Sequence, residues 1–249
     1  ERCEILTDVE GIYTADPRIV PTASKLDVIS YEEMLEMSAT GARVMALRAV
    51  EYARNHGVTL QVRSSFSSAE GTWIRKVDES MLEKAIISGV THDTSEAKLT
   101  ILGVPDRPGI AARVFRALAD AGVNVDMIVQ NVSAAGHTDI TFTLPKSDLG
   151  TAEPILATLA REIEAADVTK DDDIAKVSLI GAGMKSHPGI AADMFDALAE
   201  EGINIEIIST SSIRISCVVR AEDVKRAVAA IHERFQLGAE GEAVVGSGA

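Results

Sequence analysis

An α/β segment followed by two α+β units of ferredoxin-like strand order is what this sequence predicts. Two observations carry that prediction. Pro108 to Ser133, PGIAARVFRALADAGVNVDMIVQNVS, recurs as Pro188 to Ser212, PGIAADMFDALAEEGINIEIISTSS, and a repeat at a spacing of about 80 residues marks a duplicated domain. Before the repeats, the first 64 residues alternate strand, loop, helix and strand, the order of an α/β fold. The pairing within the repeat is residue by residue: Pro108 with Pro188, Phe115 with Phe195, Gly122 with Gly202, and Asn124 with Asn204.

The elements follow in order. Cys3 to Asp8 is a short β run, and the loop Gly11-Ile12-Tyr13-Thr14-Ala15-Asp16-Pro17-Arg18 is punctuated by Gly and Pro. A strand so close to Glu1 reads as part of the C-terminal piece of something longer. Ser30 to Asn55 is helical, with Ser30 and Glu33 as a capping box and Met34, Leu35, Met37, Val44, Leu47, Val50 and Ala53 as the core stripe. Gly41 predicts a break or kink in it, and Gly57 a C-terminal cap. Val58 to Ser64 alternates as a strand, SSFSSAEGT is a polar loop, and Ile86 to Val90 is a short strand within a linker.

Repeat one then reads as strand (97–104), helix (109–121), strand (124–132), turn at Ala135-Gly136, strand (139–144), helix (151–165) and short strand (168–170). Repeat two reads as strand (176–181), helix (189–201), strand (204–210), strand (214–219) and helix (221–235). Glu242 to Val245 is a last strand that can return to either sheet. The expected boundaries are 1–77 for the α/β segment, 78–95 for the linker, 96–172 for the first repeat domain and 173–249 for the second.

Composition narrows the function classes. A formal charge of −14 argues against nucleic acid and against anionic membranes, both of which select for Lys and Arg. No apolar run approaches the roughly 20 residues of a membrane helix, and no basic, apolar leader is present, so the expected location is the cytoplasm. Cys3 and Cys217 sit in apolar, strand-like contexts and read as reduced core residues. The five histidines and two cysteines lack metal-ligand spacing, so no metal site is expected.

Two stretches carry candidate chemistry. In each repeat a helix begins directly after Pro-Gly with a small apolar first turn, Ile110-Ala111-Ala112 or Ile190-Ala191-Ala192. Free N–H groups there can hold a carboxylate, and Asp106, Asn124 and Asp126 can take an α-amino group, which suits a free amino acid. The plainer reading stays open on spacing alone: Asp106 a turn residue, Asn124 serving a backbone bend, Asp126 solvated. Gln130 and Thr210-Ser211 read as polar edge residues of the next strand. In the other stretch, Thr7-Asp8 at a strand end, with Tyr13 to stack on a base and Arg18 to meet phosphates, can cradle a nucleotide. On that pattern alone, loop residues with no ligand are the better reading, and Arg43 alone reads as a solvated helix residue.

The same residues resemble a family. TDVEGIYTADPR and YEEMLEMSATGARV are similar to the C-terminal part of the aspartokinase catalytic domain, of the amino acid kinase fold. LGVPDRPGIAARVF and GAGMKSHPGIAADMF resemble the tandem ACT domains that follow it, in the lysine- and threonine-regulated, actinobacterial type. The resemblance covers essentially the whole chain. It implies phosphorylation of the β-carboxylate of L-aspartate by ATP with Mg²⁺, the first step toward lysine, threonine and methionine. It further implies feedback inhibition by lysine or threonine bound to the ACT domains, and a homo-oligomer or an α2β2 assembly. The small subunit of that assembly would start internally, at Met81. The family's N-terminal KFGGTS-like stretch is not in these residues, so the chain alone is expected to be inactive.

By resemblance, the nucleotide-binding positions are Thr7, Asp8, Tyr13, Arg18, Arg43 and Val44. Arg43 stands where many members carry lysine, which keeps the charge and changes the geometry. The effector-binding positions in the first repeat are Asp106, Pro108, Gly109, Ile110, Ala111, Asn124, Val125, Asp126 and Gln130. In the second they are Ile190, Ala191, Asn204, Ile205, Thr210 and Ser211, while Ser212 stands where relatives often carry glutamate. No catalytic residue is assigned. The alternative is a stand-alone amino-acid-binding regulatory subunit, in which residues 1–80 would be a vestigial arm.

Overall fold

A computed structural model describes residues 2–77, 87–131, 136–184, 187 and 189–238. The chain divides into two compact units. One is Glu1–Asp93 with Lys176–Ala249, and the other is Thr94–Ala175.

The second unit is the first repeat. Strands β6 (Glu96–Pro105), β7 (Ile128–Gln130), β8 (His137–Pro145) and β9 (Asp167–Asp171) form a sheet in the order β7-β8-β6-β9, the ferredoxin-like order. Helices α3 (Ile110–Asp120) and α4 (Leu149–Glu162) supply the other layer. Their stripes meet alternate residues of the sheet, Ile110, Val114, Leu118, Leu156 and Leu159 packing with Leu99, Ile101, Ile140, Phe142 and Leu144. Each such side chain contributes about 1.5–3 kcal/mol on full burial. The strand expected from Asn124 becomes regular only at Ile128, because residues 126 and 127 share one partner: the Asp126 N–H donates to the Thr143 carbonyl, and the Thr143 N–H to the Met127 carbonyl.

The first unit holds two sheets. The first contains β1 (Arg2–Thr7), β2 (Val28–Ile29), β3 (Thr59–Ser64) and β4 (Thr72–Ile74) in the order β1-β3-β4-β2, with β1 parallel to β3. Helix α1 (Tyr31–Ala39) and helix α2 (Leu47–His56) pack on it through Met34, Met37, Val50 and Ala53 against Leu60, Val62 and Ile74. The expected break falls at Gly41, whose φ of 114° admits few other residues and whose Cβ, were there one, would lie 1.9 Å from the His92 carbonyl oxygen. The capping box of Ser30 and Glu33 and the Gly57 cap are both present. Strands β2 and β4 fall where the sequence marks no strand, since two or three residues are too few to set up a period. Cys3 is exposed, not in the core, because β1 is an edge strand. Cys217 is buried, which pushes its thiol up to about 12.

The second sheet is built by β5 (Gly89–Asp93), β10 (Ile174–Ile180), β11 (Ile207–Thr210) and β12 (Arg214–Arg220), in the order β11-β12-β10-β5. Helices α5 (Ile190–Glu200) and α6 (Val224–Arg234) bury Met194, Leu198, Val228 and Ile231. The short strand expected at Ile86–Val90 lies three residues later, as Gly89–Asp93, and joins the second repeat rather than a linker. It precedes the first repeat in sequence yet supplies the fourth strand of the second, antiparallel to β10. Glu242–Val245 and Met81 lie outside the described residues. Among the described residues, no helix is long and apolar enough to cross a membrane.

Candidate functional sites

The parallel strand β1 ends at Thr7, and loops at the carboxyl ends of parallel strands are where α/β folds gather ligands. The Thr7 hydroxyl donates to Asp8 Oδ1 at 3.0 Å, and the Ser65 N–H beyond β3 donates to the Thr7 carbonyl at 2.8 Å. The following loop is a narrow antiparallel ladder: Tyr13 bridges Lys25, the Leu26 N–H donates to Ile12 O, and the Thr14 N–H donates to Ser24 O. Tyr13 is half-buried, and its phenol is raised by that burial first and by the charge of Glu10 second.

Arg18 is exposed and held by Asp16. Its Nε reaches Oδ1 at 3.0 Å, its Nη2 reaches Oδ2 at 2.8 Å, and its backbone N–H also donates to Oδ1. Burial works to raise the Asp16 carboxyl, but the hydrogen bonds and charge of Arg18 outweigh it and hold it below its ordinary value. Arg43 is exposed beyond the Gly41 turn, while Val44 packs on the core. His92 of β5 joins these groups. Burial lowers its pKa, Asp16 and Asp93 oppose that, and Arg18 and Arg43 add to it. Thus Asp16, Arg18, Arg43 and His92 form one electrostatic neighbourhood, and Asp8 also acts on Arg18. Sequence reasoning missed Asp16 and His92. The Asp-Pro-Arg spacing signalled the first, but nothing local signals a histidine arriving on another sheet.

The second kind of site is the start of α3 and of α5. Gly109 and Gly189 cap these helices in the left-handed region, at φ 94° and 106°, and neither cap has a side-chain hydrogen bond to the first-turn amides. Ile110 and Ile190 are buried, and Ala111 and Ala191 half-buried. Asp106 and Pro108 at the α3 start are exposed. Asn124 and Asp126 are exposed at the other end of the sheet, where the Asp126 N–H bonds Thr143 opposite Lys98, so the repeat does not bring them to its own α3 start. Gln130 on β7 is exposed and Val125 is half-buried. The Asp106 N–H donates to the Gly136 carbonyl, which fixes the loop without occupying the carboxylate. In the second repeat Asn204, Thr210 and Ser211 are exposed and Ile205 is half-buried. The two repeats differ where Asp126 is matched by Glu206, which pairs with Arg220 at 3.2 Å.

Sequence reading also missed the links between α1 and the second repeat. Arg214 at the start of β12 pairs with Glu36 at 3.0 Å, and the Ala182 N–H, in the loop after β10, donates to Glu33 Oε1 at 3.1 Å.

An amino acid kinase family model matches residues 1–64, and ACT domain models match residues 98–164 and 177–235. Fold and sites thus define a class: an amino acid kinase segment joined to a pair of ACT domains. The aspartokinase of Corynebacterium glutamicum is 54% identical over 249 residues, 99% of this chain and 59% of that protein. That of Mycolicibacterium smegmatis is 55% identical over the same shares. The chain therefore spans 59% of the length of these curated relatives.

Among solved structures, Clostridium acetobutylicum aspartate kinase superposes with a TM-score of 0.84 at 25% identity, over 93% of this chain and 54% of that one. The regulatory subunit of Thermus thermophilus aspartate kinase is 41% identical with a TM-score of 0.58, over 60% of this chain and 99% of that one. Escherichia coli aspartokinase III, solved in complex with aspartate and ADP, is 28% identical with a TM-score of 0.78, over 94% of this chain and 52% of that one. The chain belongs to the aspartokinase family.

Proposed function

We propose that this chain is the C-terminal part of a feedback-regulated aspartate kinase. The whole enzyme transfers the γ-phosphoryl group of Mg·ATP to the β-carboxylate of L-aspartate, and the ACT domains take lysine or threonine. The observation that supports the catalytic half is that Arg18 feels the charge of Asp8, which follows β1, and that Arg18 and Arg43 both act on His92. Phosphoryl transfer asks a protein mainly for positioning and charge neutralisation. Arg18, oriented by Asp16, and Arg43 would neutralise phosphate charge, and Tyr13 would pack on the base. Val44 would hold Arg43 against the core. The complex of Escherichia coli aspartokinase III with aspartate and ADP supports this assignment of substrates.

The uncapped first turns of α3 and α5 support the effector reading, with helix amides on the carboxylate and Asp106, or Asp126 of a repeat paired with it, on the ammonium. The edge strands β7 and β11 present Ile128 and Ile208, 50% and 46% exposed at matching positions of the repeat. Open edges of that kind favour ACT domains pairing in an oligomer, a homo-oligomer or an α2β2 assembly. A separate regulatory subunit is the second reading. It is favoured by both ferredoxin-like sheets being drawn from β5 onward, with no strand from residues 1–77.

Calorimetry on the full-length protein tests both halves. Asp8→Ala is expected to abolish measurable ATP binding while threonine or lysine still binds. Asp106→Ala is expected to weaken the effector by about 1.5–3 kcal/mol, the worth of a charged hydrogen bond. ATP binding unaltered by Asp8→Ala overturns the nucleotide site. Effector affinity unaltered by Asp106→Ala overturns that contact.

A further inference from the structure

We infer that His232, on the last helix of the second ACT domain, is a positioning residue for the nucleotide loop and acts through the hydroxyl of Thr14. The inference rests on the nucleotide-loop reading above and adds to it a residue from the regulatory part of the chain.

Thr14 lies at the centre of GIYTADPR and is 4% exposed. Its hydroxyl oxygen has three neighbours: the Ser24 N–H at 2.9 Å, the Leu237 carbonyl at 3.1 Å and His232 Nε2 at 2.9 Å. A hydroxyl has one proton and two lone pairs. The Leu237 carbonyl can only accept, so the proton goes there. The Ser24 amide can only donate, so it takes one lone pair. His232 must then donate to the other, which fixes its Nε2 as protonated. The hydroxyl is thereby saturated, and each bond constrains the backbone that carries it.

The backbone of Thr14 is fixed as well. Its N–H donates to Ser24 O at 2.9 Å, and its carbonyl accepts from Val90 N–H of β5 at 2.7 Å. Ser24 Oγ donates to the same Leu237 carbonyl at 2.8 Å. Of the five bonds on Thr14, those from His232, Leu237 and Val90 come from the second ACT domain and the segment after its last helix. Thr14 stands between the two loop residues proposed to meet the nucleotide, Tyr13 directly before it and Arg18 four residues on. A shift at Thr14 is a shift of both. His232 is 2% exposed, and its burial lowers its pKa and favours the neutral ring.

The test is steady-state kinetics in the full-length protein. His232→Leu keeps the volume and removes the donor. It is expected to raise the KM for ATP about 3- to 10-fold, the span of one net hydrogen bond, with kcat and the KM for aspartate little changed. His232→Gln, whose amide nitrogen reaches where Nε2 does, is expected to restore the wild-type KM. Thr14→Val is expected to raise it by a smaller factor in the His232→Leu background than in the wild type, because the bond to His232 is then already lost. Should His232→Leu not fold, His232→Asn against His232→Gln carries the test, because only the longer amide reaches Thr14. A KM for ATP unmoved by His232→Leu, or equal for Asn and Gln, overturns the assignment. Arg18→Ala separates the two readings. A raised KM in Arg18→Ala beside an unmoved one in His232→Leu rejects the His232 role alone. An unmoved KM in Arg18→Ala rejects the nucleotide loop and the His232 role with it.

Discussion

Glu33 is 5% exposed, and its carboxylate accepts four hydrogen bonds. Oε2 takes the Ser30 N–H at 3.2 Å and the Ser30 hydroxyl at 2.6 Å; Oε1 takes the Ser88 hydroxyl at 2.5 Å and the Ala182 N–H at 3.1 Å. A charge buried this far is tolerated because all these donors converge on it and because it sits at the positive end of α1. Glu33→Ala would strand the donors without solvent. It is expected to cost about 3 kcal/mol, read as a lowered urea midpoint with an unchanged slope. An unchanged midpoint would mean that the network contributes nothing. Half of this arrangement was legible: Ser30 and Glu33 stand three apart before an apolar run. Ser88 and Ala182 were not, because they arrive from 55 and 149 residues away.

Strand β5 shows the same limit for an element. Its sequence, GVTHD, has no alternation to mark it, and only its partners explain it. On one side it ladders with β10. Elsewhere it meets both stretches proposed to hold the nucleotide: Val90 N–H bonds Thr14, Thr91 Oγ1 lies 2.6 Å from Thr40 Oγ1, and the His92 carbonyl faces Gly41. The helices and the repeat strands were legible because a period of 3.6 or 2 is written into each of them. A short strand recruited by a distant sheet has no such record. Gly89 makes the closest approach, since a Cβ there would stand 2.5 Å from the Thr14 carbonyl oxygen and 2.8 Å from Met37 Cε. Gly89→Val is therefore expected to destabilise the fold by about 1–3 kcal/mol through overpacking. It should also speed amide exchange at Val90, whose N–H bonds Thr14. Wild-type exchange and midpoint would show that the backbone gives way there at no cost.

Across the whole molecule, the path of the chain makes the second ACT domain depend on residues that precede the first. Among the described residues its sheet has four strands only if β5 is present, and Val90, 1% exposed, is part of what that strand buries. This bears on where a separate regulatory subunit can begin. A fragment starting at Met81 retains β5; one starting at Thr94 does not, although Thr94–Ala175 is a compact unit by itself. Without β5, the β10 edge from Lys176 to Ile180 loses its ladder partner, and buried backbone groups left unpaired cost free energy comparable to a lost hydrogen bond. The 81–249 fragment is expected to protect the β10 amides from hydrogen exchange. The 94–249 fragment is expected to protect those of β6 and β8, and those β10 amides that face β12, but not the β10 amides that face β5. Equal protection of β10 in both fragments would show that β5 is dispensable and would free the start of a regulatory subunit to lie anywhere before the first repeat. Loss of protection only in the shorter fragment would confine that start to the residues before Gly89, where Met81 lies.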